Sequence, residues 1–139
     1  LVLFGGGIAL ALSLEKSSVL QYLAANSLFL NEWRLIFILL IVIVVSLFAT
    51  ELMSNLALVS VMVPLVAVLA IQMGYSVFQL TIPLTLAASC AFMMPVSTPP
   101  NAIVFSSGKV TIAQMVSVGF FLNIIAVLTL WGYCYFFMA

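Results

Sequence analysis

The sequence predicts an all-α integral membrane protein, and three observations carry that prediction. Hydrophobic residues make up 67% of the chain and charged residues 4%, against about 25% charged in an ordinary soluble domain. No charged residue lies between Glu51 and Lys109, and none follows Lys109. Each of these stretches exceeds the roughly 20 apolar residues that cross a bilayer. Finally, three prolines and a Ser-Thr-Asn set interrupt the run MMPVSTPPNAIVF at 93–105, which marks a point where a membrane helix must break.

At roughly 30 residues per span with its loop, this length accommodates about four or five membrane segments. A formal net charge of zero leaves no basic face for nucleic acid. Histidine and aspartate are both absent. That removes most catalytic constellations, and the chain reads as a non-enzyme. Cys90 and Cys134 lie inside apolar runs and read as buried free thiols rather than as a disulfide or metal pair.

The elements follow in order as one membrane domain over 1–139. Residues 1–26 form a first span, Leu1 to about Leu14, closed by Glu15-Lys16-Ser17-Ser18 and followed by a short amphipathic connector at Val19–Ala25. The opening LVLFGGGIAL has no initiating Met and no charged n-region, so it reads as the interior of a longer protein. Gly5-Gly6-Gly7 either allows close helix packing or permits a non-helical break. Asn31-Glu32-Trp33-Arg34 reads as an interface anchor, a belt tryptophan beside a charged pair.

Residues 33–71 read as two apolar arms, Leu35–Thr50 and Ala57–Ile71, joined by a polar turn with Glu51, Ser54 and Asn55. Each arm reaches about 24 Å at 1.5 Å per residue, short of a hydrocarbon core of about 30 Å. Two readings fit. Both arms span with tilt and the turn sits in water, or they form a re-entrant hairpin whose tip stops at membrane depth. Gln72-Met73-Gly74-Tyr75-Ser76 is the next turn signal. Residues 77–108 are too long for one span, and the part after the prolines is too short for another, so a broken helix is expected with its break at 95–101. Residues 110–139 hold a last plain span, Val116–Met138, with an aromatic-rich end.

Irregular backbone survives at membrane depth only inside protein or beside a water-filled cavity. Paired breaks near the midplane are the mark of secondary transporters: half-helix N-termini face anions, and unwound carbonyls hold Na⁺. The two breaks here, 50–56 and 95–101, offer Thr50, Ser54, Asn55, Ser97, Thr98 and Asn101 as neutral oxygen ligands, and neither contains Lys or Arg. A bound anion would then be offset by helix dipoles, backbone amides and co-bound cations. The plainer alternative gives each Ser or Thr a bond to the preceding turn's carbonyl, and each proline an ordinary kink. Glu51 fits a helix terminus or a polar cavity better than lipid.

Three stretches, LFGGGIALA at 3–11, TELMSNLALVSVMVPL at 50–65 and SCAFMMPVSTPPNAIVFSSG at 89–108, resemble the divalent anion:sodium symporters, which carry dicarboxylates, citrate or sulfate with Na⁺. The resemblance covers essentially the whole chain. It implies two inverted-topology halves, each with a re-entrant hairpin bearing Ser-Asn-Thr and a broken helix, of which this chain looks like the second; the first half would be a missing partner. It further implies that Thr50, Asn55 and the carbonyls of Met53 and Ser97 hold one Na⁺, while Ser54, Asn55, Thr98 and Pro99 face the substrate carboxylate. The third motif residue is usually Thr and here is Leu56, which removes a donor worth about 1–3 kcal/mol. The expected function is Na⁺-coupled symport of a C4-dicarboxylate such as succinate, by elevator-like alternating access, in a plasma-membrane homodimer. Sulfate or citrate symport, cation exchange without an anion, and a truncated, non-transporting membrane subunit are the alternatives.

Overall fold

The computed structural model describes residues 2–16 and 33–138. They form six helices: α1 (Val2–Lys16), α2 (Trp33–Thr50), α3 (Asn55–Gln72), α4 (Val77–Ala88), α5 (Pro99–Ser106) and α6 (Ile112–Met138). No strand occurs among the described residues, in line with the all-α expectation. By length and composition α3 and α6 can each cross a membrane, and with the near-absence of charge they make the chain an integral membrane protein.

Lipid surroundings force these segments into helices. α2 reads WRLIFILLIVIVVSLFAT, and its β-branched run would weaken a helix in water. In an apolar medium every backbone group must bond within its own segment, and the helix is what remains. Pro64 and Pro83 sit inside α3 and α4 without ending them. What ends α3 is local chemistry. Gly74 takes φ 77°, and the Tyr75 and Gly74 amides donate back to the Ala70 and Ile71 carbonyls, a Schellman closure that favours glycine at this position.

The packing sets the direction of each helix. Leu35, Leu39 and Val42 of α2 meet Leu80 and Leu84 of α4 and Val66 and Ala70 of α3. One level further on, Ile43 and Leu47 meet Ala87 of α4 and Val127 of α6. So α2 and α4 run parallel, and α3 and α6 return against them. The far end of α6 is tied by the Trp131 indole N–H, which donates to the Ile36 carbonyl at 3.0 Å. Helix α1 lies along α3. Because lipid tails are as apolar as leucine, these contacts hold by close packing and not by escape from water.

α6 buries Met115, Gly119, Asn123 and Val127, one residue every four, which is a single helical face. Its other faces are open: Phe121, Ile125 and Leu128 are all exposed. A soluble protein could not carry such a surface. Lipid or a further protein segment can cover it.

Several boundaries differ from the sequence reading. α6 begins at Ile112 and not Val116, because Thr111 and Gln114 cap it: the Gln114 side-chain oxygen accepts from the Thr111 amide at 2.9 Å, and the Thr111 hydroxyl accepts from the Gln114 amide at 3.3 Å. That is a capping box. The three-glycine run does not break α1, and a Cβ at Gly5 or Gly6 would meet nothing within 4 Å, so neither use expected of it is seen at those two positions. The connector at Val19–Ala25 lies outside the described residues, as do Asn31 and Glu32 of the interface anchor.

Helix α4 stops at Ala88 and α5 starts at Pro99, so the non-helical segment covers residues 89–98, where the sequence reading expects a break at 95–101. Pro99 and Pro100 open α5 as its first two residues, where a missing N–H costs nothing. The prolines restart the helix; they do not end the one before it.

Candidate functional site

Parallel packing of α2 and α4 brings Thr50 and Ala88, their last residues, to one level. The four-residue turn 51–54 starts α3 at the same level, and the break 89–98 starts α5 nearby. Two helix C-termini and the N-terminus of α3 therefore meet, and α5 opens at the far end of the break. The C-termini present free carbonyls and partial negative charge, the N-termini free amides and partial positive charge.

On the carbonyl side, the buried Thr50 hydroxyl stands 2.6 Å from Asn55 Oδ1 and 2.8 Å from the Ala88 carbonyl. A hydroxyl has one proton to donate, so three oxygens share a single hydrogen. Such an excess of neutral oxygen is the donor set that a hard monovalent cation takes up.

Beside it stands Glu51, the first residue of the turn after α2, with 4% of its surface exposed. Its Oε1 accepts from the Phe92 amide at 2.8 Å, the Met93 amide at 3.0 Å and the Asn123 side-chain amide at 2.8 Å. Its Oε2 accepts from the Met93 amide at 3.1 Å and the Met94 amide at 3.0 Å. Every donor is neutral, and both oxygens only accept, the geometry of an ionised carboxylate. Glu51 thus replaces the helical bonds that residues 92–94 gave up when α4 ended. It sits at a helix terminus, enclosed by protein instead of lipid.

The rest of the break folds around the Met94 carbonyl. It accepts from the Ser97 hydroxyl at 2.6 Å, the Ser97 amide at 3.3 Å and the Asn101 side-chain amide at 3.1 Å. Asn101 also donates to the Ala91 carbonyl at 3.0 Å. Its side-chain NH₂ therefore ties the start of α5 to the break.

The structure brings Thr50 and Asn55 into direct contact. Ser97 is buried and linked to this pair through Met94 and Glu51. Ser54 caps α3, its hydroxyl accepting from the Ala57 amide at 3.3 Å, and is itself exposed. Thr98, half-buried, is the N-cap of α5 with no side-chain cap bond, and Pro99 follows it exposed. Met53 and Leu56 face outward, Leu56 at 81% exposure. These outward positions are open to a ligand.

Sequence reasoning missed three participants. Ala88 gives a main-chain oxygen and has no residue-type signal. Asn123 is one of the few strongly polar residues in a long apolar helix, a signal that was available. Gly119 lets α6 touch the break: a Cβ there would lie 2.7 Å from Met93 Cα and still closer to the Phe92 carbonyl.

Opposed helix ends, neutral oxygens and a protein-enclosed carboxylate within an apolar helical body point to the membrane-transporter class. The family model described as sodium:sulfate symporter transmembrane region matches residues 1–138. The sodium-dependent dicarboxylate transporter SdcS of Staphylococcus saprophyticus subsp. saprophyticus is 38% identical over 130 residues, covering 94% of this chain and 25% of its own length. Its namesake from Staphylococcus aureus strain USA300 is 41% identical over 126 residues, covering 91% of this chain and 24% of its own length. The chain belongs to the sodium:sulfate symporter family. It spans about a quarter of the length of the curated relatives it matches.

Proposed function

We propose that this chain forms one repeat of a Na⁺-coupled symporter for a divalent anion, with a C4-dicarboxylate such as succinate as substrate. The observation that carries the proposal is the meeting of Thr50 Oγ1, Asn55 Oδ1 and the Ala88 carbonyl around one proton, at the N-terminus of α3. The first feature suits a cation and the second an anion. The dicarboxylate in the names of the two relatives supports the choice of substrate.

In this reading Thr50 and Asn55, with the carbonyls of Met53 and Ser97, hold Na⁺. Ser54, Asn55, Thr98 and Pro99 face one substrate carboxylate. Glu51 places a fixed negative charge next to the site, so a dianion entering alone meets repulsion, and prior entry of Na⁺ relieves it. Coupling then follows from charge balance. Residues 33–71 act as a re-entrant hairpin and 77–108 as a broken helix, moving together in an elevator-like step. A second repeat, related by inverted topology and supplied outside this chain, completes the site in a plasma-membrane homodimer.

Reconstitution of the full-length protein in proteoliposomes tests this. Labelled succinate should accumulate under an inward Na⁺ gradient and not under choline. Sulfate or citrate uptake in its place would move the substrate assignment. No Na⁺-dependent uptake of any of the three would overturn the symporter reading.

A further inference from the structure

Resting on that reading, we infer that Asn123 and Gly119 of α6 are positioning residues for the Na⁺ site, acting through Glu51 and the unwound segment 92–94 without touching the ion. The two residues are one helical turn apart on the same buried face of α6, one against the break itself and the other against the carboxylate that holds it. Gly119 brings α6 against the Phe92 carbonyl and Met93 Cα with no room for a side chain. Asn123 donates its amide to Glu51 Oε1 at 2.8 Å, the same oxygen that receives the Phe92 and Met93 amides. From there the bonds run through the Met94 amide to the Met94 carbonyl, and on to the Ser97 hydroxyl and amide. Thr50 is the chain neighbour of Glu51. Both groups of proposed Na⁺ ligands therefore hang on a carboxylate whose orientation α6 helps to fix.

The state of Asn123 itself argues against a role in packing alone. It is fully buried, and its Oδ1 finds no hydrogen-bond partner. An asparagine that leaves one polar atom unpaired in a helix core is costly compared with an apolar residue of like volume. What the asparagine supplies in exchange is the single bond to Glu51. Gly132 on the same helix makes no comparable approach, with nothing within 4 Å of its would-be Cβ, so the close contact belongs to the level of the site.

The test uses full-length protein in proteoliposomes, with Na⁺ activation of labelled succinate uptake measured for wild type, Asn123→Ala, Asn123→Ser, Gly119→Ala and Thr81→Val. Loss of a donor to a buried carboxylate should raise the half-saturating Na⁺ concentration about tenfold in Asn123→Ala. Its maximal rate at saturating Na⁺, per folded transporter, should stay within about twofold. Asn123→Ser keeps a donor and should recover part of the shift. Gly119→Ala should move the same parameter in the same direction. Thr81→Val removes a buried hydroxyl that donates to its own helix at the Val77 carbonyl, and should match wild type. Unshifted Na⁺ half-saturation in folded Asn123→Ala and Gly119→Ala overturns the inference, as does a fall in maximal rate alone. If Asn123→Ala does not fold, Asn123→Ser and Gly119→Ala decide by the same criterion. A wild type without Na⁺ dependence overturns the symport reading instead, which keeps the two failures distinct.

Discussion

Replacing Glu51 by glutamine changes one atom and should cost both stability and transport. The carboxylate receives four N–H groups, the amides of Phe92, Met93 and Met94 and the side chain of Asn123. Glutamine has one acceptor oxygen, so its NH₂ must point at donors. The mildest arrangement keeps the oxygen where Oε1 was and preserves Phe92, Met93 and Asn123. The Met94 amide is then left facing another donor. A hydrogen bond to a charged group contributes about 1.5–3 kcal/mol, and an orphaned buried donor costs about 1–3 kcal/mol. These overlap in one event, which gives about 3 kcal/mol, or roughly 150-fold in the folding equilibrium. At 4% exposure, water cannot step in to satisfy Met94. Denaturant unfolding of the detergent-solubilised full-length protein reads the loss directly. Unfolding within about 1 kcal/mol of wild type would refute the reasoning, because it would mean the three amides do not depend on the carboxylate.

Two other substitutions bear on the ligands themselves. Asn55→Ala removes the oxygen that shares the Thr50 proton, and Na⁺ half-saturation of succinate uptake should rise about tenfold or more; unchanged Na⁺ activation would reject Asn55 as a ligand. Leu56→Thr adds a hydroxyl donor at an exposed position beside Asn55, and the Michaelis constant for succinate should fall several-fold, with no change expected in Na⁺ half-saturation.

Some of this was legible in the sequence and some was not, for physical reasons. Helices and membrane setting follow from the absence of charge over residues 52–108 and 110–139. Clustering of Thr50 with Asn55 follows from their five-residue separation across a tight turn. The extent of the break is not legible from proline, because Pro99 and Pro100 mark where a helix restarts and not where the one before it ends. In fact α4 ends where Glu51 captures the amides of residues 92–94, bonds that reach across more than 40 positions of sequence. Backbone donors carry no residue-type signal, so such a partner cannot be read locally. Gly119 and Gly132 look alike in sequence, yet one touches backbone and the other touches nothing. Asn123 is different. A buried amide in a 27-residue apolar helix was a readable signal, but its target lies 72 residues away.

Equilibrium binding of labelled succinate to the purified full-length protein, with Na⁺ varied against choline at constant ionic strength, tests the coupling of cation and anion without the complication of transport kinetics. Juxtaposed helix ends around Thr50, Asn55 and Glu51 predict that succinate affinity rises with Na⁺ by about 5- to 150-fold, the span of coupling free energies near 1–3 kcal/mol. Linkage requires that succinate raise Na⁺ affinity by the same factor. Equal succinate affinity in Na⁺ and choline would contradict a shared site at this layer of the fold.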